Sequence, residues 1–262
     1  MEPRCMVLRL AAPLQSWGGQ TDFNRRETLA EPTRSGVIGL LAAAQGRRRG
    51  DPIEDLLHLR LGVRVDQPGS LLRDYHTVSD FRGVPLLTAQ LSAKGAQKRT
   101  QPAKHTAVTQ RYYLQDAAFV AVVEGPQELL HGLTAAVRRP AFPLALGRRA
   151  CVPTQPLLLT EEPSAGALWR GSLSSVLERI PWQATEAVRR VMRQRGQAPT
   201  RTRLATTVDD LEGQELRTDV PTTFAPKERS YMTRRVRRGW VEVDTGFTDG
   251  SDPHDPFALL GW

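Results

Sequence analysis

Residues 118–139 read AFVAVVEGPQELLHGLTAAVRR. The first eight are a short apolar, β-branched run closed by Gly125, which is strand grammar. The next fourteen form an amphipathic helix with proline at its start and arginines in its last turn, where they oppose the helix dipole favourably. The same pairing occurs earlier in the chain. CMVLRLA at 5–11 predicts a strand ending at Pro13, and an irregular stretch bounded by prolines follows. TRSGVIGLLAAAQG then predicts a helix, capped by Thr33 or Ser35, with Val37, Leu40, Leu41 and Ala44 on its apolar face and Gly46 as its stop. Leu61, Val63 and Val65 alternate in a strand over 60–66, and QPLLLT at 155–160 predicts one more.

The resulting order is strand, helix, strand, a long excursion, strand, helix, strand. This is the split βαβ pattern, ferredoxin-like or RNA-recognition-motif-like, with two helices on one face of an antiparallel sheet and the other face open. The excursion, about 68–117, is too long for a plain loop and predicts a projecting hairpin or arm. Beyond it, SLSSVLERI and TEAVRRVMRQRG predict short helices, and the segments around 202–208 and 230–243 predict strands. The expected architecture is therefore α+β. A ferredoxin-like domain spans 1–160 with a basic thumb inserted at about 80–112. A smaller, mostly β C-terminal part spans 161–245, and an acidic, Gly- and Pro-rich tail spans 246–262.

The 262 residues carry a formal net charge of +8, and of the 36 basic residues only Lys94, Lys98, Lys104 and Lys227 are lysines. A basic, arginine-dominated chain favours a polyanionic partner, because the planar guanidinium suits phosphate and stacks on bases. Two cysteines supply neither a disulfide framework nor a zinc site, and no apolar run reaches the length of a membrane span. A reduced, cytoplasmic setting is expected, with no membrane partner and no cofactor or metal.

The charge is distributed unevenly. No acidic residue lies between Asp80 and Asp116, where Arg82, Lys94, Lys98, Arg99, Lys104 and Arg111 fall. None lies between Glu31 and Asp51, which enclose Arg34 and Arg47–Arg49, or between Glu128 and Glu161, which enclose Arg138, Arg139, Arg148 and Arg149. A phosphate backbone needs cations spread along its path. In ALGRRACVPTQPL, Gly147 allows close backbone approach to a ligand, and Arg148 with Arg149 offers bidentate phosphate contacts.

Four motifs in order, LRLAAPLQSWG, PTRSGVIGLLAAAQG, LRDYHTVSDFRG and ALGRRACVPTQPL, resemble the CasD-type subunit family of the type I-E CRISPR Cascade complex, in the RAMP superfamily. The resemblance covers residues 6–160 well and is faint beyond. It implies a ferredoxin-like body with a thumb, capping the 5′ handle of the crRNA beside backbone (CasC-type) and large (CasA-type) subunits. For the basic clusters RRVMRQRG and RRVRRG the RNA, a neighbouring subunit and target DNA near the complex stay open as contacts. The handle phosphates are expected on Arg25, Arg26, Arg34, Arg148 and Arg149, with its bases on Tyr75 and His76 beside Arg73. Lys98, Arg99, Lys104 and Arg111 are expected to fold an arm over the RNA.

LRDYHTVSDFRG at 72–83 also admits a rival reading, a metal-independent endoribonuclease acting on CRISPR repeat RNA. Such cleavage needs a base, an acid and a cation in one pocket. In an extended segment Tyr75 and His76 point to opposite faces. The clamp is the preferred reading, with no catalytic residue.

Overall fold

The computed structural model describes residues 2–18, 24–80, 93–94, 105–161, 167–225 and 228–247. Strand β1 (Arg4–Ala11) and helix α1 (Arg34–Ala44) are separated by two short strands, β2 (Leu14–Gln15) and β3 (Arg25–Arg26). Helix α2 (Glu54–Leu57) leads into β4 (Arg60–Gln67). The excursion is a hairpin of β5 (Ser70–Asp80) and β6 (His105–Gln115), and β7 (Ala118–Glu124) and α3 (Gln127–Arg138) follow. The remainder holds β8 (Leu158–Leu159), β9 (Leu168–Arg170), α4 (Leu173–Arg179), α5 (Glu186–Gln194), β10 (Arg201–Asp209), β11 (Glu215–Thr223) and β12 (Ser230–Asp244). None of these helices is long and apolar enough to cross a membrane.

The main sheet is antiparallel and runs β11-β12-β10-β4-β7-β1-β8, with β9 also on β1. Its centre forms where the sequence is most apolar. Met6, Leu8 and Leu10 of β1 turn to the same side as Phe119, Ala121 and Val123 of β7, and α1 and α3 cover that side through Leu41, Leu130 and Leu133. Thr33 caps α1 by accepting a hydrogen bond from the Gly36 amide, as expected of a threonine there.

Two expectations need correction. The sheet face opposite α1 and α3 is not open at its centre: Cys5, Val7, Val120 and Val122 are buried there beneath Trp169 and the α4 residues Leu173, Val176 and Leu177. These strands are apolar on both faces, so both faces must be covered. Nor does a break fall at 160/161, because β10 pairs directly with β4 through Thr206–Val208 and continues the same sheet. Strand β11 was not expected. It lies at the sheet edge, carries Pro221 and has two register shifts, so its sequence lacks strand periodicity. The strand expected over 155–160 shrinks to two residues.

Buried ion pairs fasten the C-terminal elements to this core. Arg64 on β4 meets Asp66 in a fully buried fork, Nε to Oδ1 at 2.7 Å and Nη2 to Oδ2 at 2.8 Å. Its Nη1 donates to the carbonyls of Leu177 and Ile180 at the end of α4. The carboxylate of Asp66 also accepts the Gln183 amide at 2.6 Å.

Candidate nucleic-acid interface

Four segments far apart in sequence meet on a second, smaller sheet built around the hairpin. Gly69 starts it: at φ +71° the chain turns from β4 into β5, and a Cβ there would lie 2.4 Å from the Gln115 carbonyl oxygen. Strands β5 and β6 then pair without a register shift from Ser70–Gln115 to Asp80–His105. At about 3.4 Å per residue such a ribbon is roughly 35 Å long. On the far edge of β6, β3 runs parallel, setting Arg25 beside Gln110 and Arg26 beside Arg111.

Strand alternation sorts the side chains. Arg73, Tyr75, Gln110 and Tyr112 share one face, since Arg73 opposes Tyr112 and Tyr75 opposes Gln110. Arg25 joins them, its guanidinium 5.4 Å from the Tyr112 ring centroid. Tyr75 is 60% exposed, and Leu71 and Val78 on the same ribbon are also exposed. The opposite face carries Asp74, His76, Arg111 and Tyr113. Arg111 is half-buried and its Nε–H has no acceptor among the described residues. Tyr75 and His76 therefore point away from each other, which denies them a common pocket.

The Gly147–Arg149 turn abuts the base of this sheet, but its parts do different work from that expected. Gly147 sits at φ +93°, and a Cβ there would lie 1.7 Å from the Ser16 carbonyl oxygen. The close approach it permits is to its own chain. Arg148 donates to the carbonyls of Tyr112 (3.0 Å) and Arg26 (2.8 Å) and lies 4.6 Å from the Tyr113 ring centroid. It ties β3, β6 and the turn together, and two of its donors are thereby occupied. Arg149 is exposed beside it.

Arg34 is placed elsewhere. It is the first residue of α1 and points back to the sheet, where Nη1 meets Asp209 at 2.8 Å and Nη2 donates to the carbonyls of Leu57 and Leu59 at 2.6 Å each. Its side chain is 11% exposed, so it holds α1 to β10 and does not face a ligand. Lys98, Arg99 and Lys104 lie outside the described residues, whereas Lys94 is described and exposed. Tyr112 and Gln110 complete the aromatic face. Their signal in the sequence is the alternation of Gln110, Tyr112 and Leu114 at the end of the acid-free window, before Asp116. Both cysteines are buried away from the exposed face of the ribbon: burial raises the Cys151 thiol beside the 147–149 turn, and pushes that of Cys5, on the main sheet, up to about 12.

The sequence profile of the CRISPR-associated protein (Cas_Cas5) family matches residues 5–237. The Cascade subunit CasD of the CRISPR system of Escherichia coli (strain K12) is 36% identical over 172 residues, covering 59% of this chain and 69% of that protein. Among solved structures, a chain of a CRISPR RNA-guided surveillance complex superposes with a TM-score of 0.70 at 33% identity, with 98% of each chain covered. A crystal structure described as a Cas protein gives 0.64 at 32% identity, covering 92% of this chain and 98% of the other. With a family profile spanning nearly its whole described length and a mixed α/β fold shared with a surveillance-complex chain, this protein belongs to the CRISPR-associated (Cas_Cas5) family.

Proposed function

We propose that the protein is a non-catalytic subunit of a Cascade-type surveillance complex in CRISPR defence, and that its hairpin sheet grips the single-stranded 5′ handle of the crRNA. One observation carries this reading. Arg25, Arg73, Tyr75 and Tyr112, from three distant segments, share one face of an exposed ribbon, with Arg149 at its base. Unpaired RNA bases stack on such aromatic and guanidinium planes, while arginines take the phosphates. Strand order β8-β1-β7-β4, with α1 and α3 as its crossovers, supports a ferredoxin-like core. The ribbon then serves as the stem of the thumb. Backbone (CasC-type) and large (CasA-type) subunits are the proposed neighbours, in the prokaryotic cytoplasm. The opposed directions of Tyr75 and His76 favour a clamp over a nuclease.

Fluorescence anisotropy with a labelled repeat-derived 5′ RNA tests this. Stacking is worth about 1–3 kcal/mol per base, so Tyr75→Ala is expected to weaken binding roughly 5- to 150-fold with an unchanged melting temperature. Arg73→Ala with Arg149→Ala should lower the log–log salt slope by about 0.7 for each phosphate that the pair no longer neutralises. An unaltered affinity and slope in both variants would remove the hairpin face as the site. Cleavage of the RNA in chelator, abolished by His76→Ala, would make the protein a nuclease instead.

A further inference from the structure

The cover that α4 lays over the second face of the main sheet stops short of Arg9. That residue follows Cys5 and Val7 on the same side of β1, so it continues their buried row. Beyond α4 the row opens into a cleft of about 500 Å³ bounded by Arg9, Gln155, Gln183, Glu186, Arg189 and Gly246. The volume is within the range of small-ligand sites.

The cleft is electrostatically incomplete. Among the described residues Arg9 donates one long hydrogen bond, 3.3 Å, from Nη2 to the Gln183 carbonyl, and its buried Nε–H finds no acceptor. Among the described residues Arg189 donates to main-chain carbonyls alone, those of Trp182, Ala184 and Thr245, and lies over the Trp182 and Phe247 rings. Neither guanidinium makes a salt bridge with a carboxylate among the described residues. Glu186, the acidic side chain at the wall, is held by Arg193 at 3.0 Å. Burial draws the Arg9 guanidinium below its ordinary value, against the opposing pull of Asp66. Burial does the same at Arg189, where Glu186 opposes the shift and the positive charges of Arg193 and Arg9 add to it. Two like charges thus share a partly desolvated cleft with a buried donor unanswered, a combination that an anion relieves.

We propose that this cleft is a phosphate-binding site, separate from the hairpin sheet, whose ligand is a phosphate group of either a nucleic-acid backbone or a free phosphate. Arg9 supplies the ion pair and the unanswered Nε–H, Arg189 the second positive charge, and the Gln155 and Gln183 amides neutral donors at the rim. Guanidinium forks match tetrahedral phosphate oxygens closely. The site shares no residue with the proposed handle-binding face and stands or falls independently of it.

Isothermal titration calorimetry on the full chain, with inorganic phosphate, adenosine 5′-monophosphate and a short single-stranded oligonucleotide lacking terminal phosphate, tests the assignment. Saturable binding of the first two alone identifies a free-phosphate site. Binding of the third that Arg9→Gln weakens and Tyr75→Ala leaves unchanged identifies a backbone site, oligonucleotide held by the hairpin sheet showing the reverse. In either case Arg9→Gln should weaken binding at least tenfold and Arg9→Lys should retain part of it. If Arg9→Gln lowers the melting temperature, the wild-type chain decides: phosphate must shift the Arg9 Nε–H resonance in an arginine-labelled spectrum. No saturable binding by any probe, or binding indifferent to Arg9→Gln in a folded variant, overturns the proposal. So does binding that emerges only after Asp249, Asp252 and Asp255 are changed together to asparagine, since the chain's own acidic tail would then be the occupant.

Discussion

At Gly147 the main chain adopts φ +93° with the Ser16 carbonyl in the space a Cβ would fill. Two penalties therefore coincide at one residue, a left-handed backbone and a steric overlap with main chain that has little freedom to move. Such strain costs on the order of 1–3 kcal/mol for the backbone alone. Gly147→Ala is expected to lower the melting temperature by several degrees and, because Arg148 would be displaced from the Tyr112 and Arg26 carbonyls, to weaken RNA binding as well. Thermal melts monitored by circular dichroism, run beside the anisotropy titration, check both. A variant as stable as wild type would mean the 145–151 turn shifts freely. The glycine was legible in the sequence as a special backbone position, but not what it approaches. A close approach looks the same in one dimension whether the other party is a ligand or residue 16.

Elements in the C-terminal half are held to the sheet by buried charge as much as by apolar contact. Helix α4 covers β1 and β7 with Leu173, Val176 and Leu177, yet its last turn is anchored by Arg64 from below. Removing one partner of a buried ion pair leaves the other uncompensated and costs about 3–5 kcal/mol. Arg64→Met is expected to lose about that much in urea unfolding, with faster amide hydrogen exchange concentrated in 173–179. A loss below about 1 kcal/mol would show that apolar packing alone holds α4. Helices α1 and α3 and strands β1, β4 and β7 were legible because each buries a stripe of its own sequence against a neighbour in the same unit. Strand β11 was not, since an edge strand pairs on one side only and tolerates Pro221 and a broken alternation.

Across the whole molecule, the chain's two halves are clasped by one cluster of charges. Arg34 at the start of α1 meets Asp209 of β10, Arg234 of β12 bridges Asp209 and Asp219, and Asp219 of β11 accepts the Arg34 amide at 2.9 Å. Burial pushes the Asp219 carboxyl up, but the Arg234 fork outweighs it and leaves the group below its ordinary value. A carboxylate depressed in the folded state stabilises the fold above its unfolded value, near 3.9, and loses that contribution as pH falls through the folded one. The melting temperature is therefore expected to be insensitive to Asp219 between pH 5 and 8 and to fall below about pH 4. In Asp219→Asn the protein should be less stable at neutral pH and show a shallower acid decline, which calorimetry across pH will register. An equally steep decline in the variant would assign acid sensitivity to other carboxylates. The amino-acid sequence by itself determined the order of strands and helices, the hairpin excursion and the excess of arginine, because hydrophobic periodicity, turn residues and composition are local properties. Only the tertiary structure decided which arginines are available. Arg34 and Arg148 are drawn inward by acceptors from distant segments, and Arg64 by Asp66 of its own strand together with the distant Leu177 and Ile180 carbonyls. By contrast Arg25 (paired with Glu27), Arg73 and Arg149 stay on the surface and Arg9 faces the cleft beyond α4. The fate of a guanidinium depends on which acceptors the fold brings within about 3 Å of it, and no spacing along the chain encodes that.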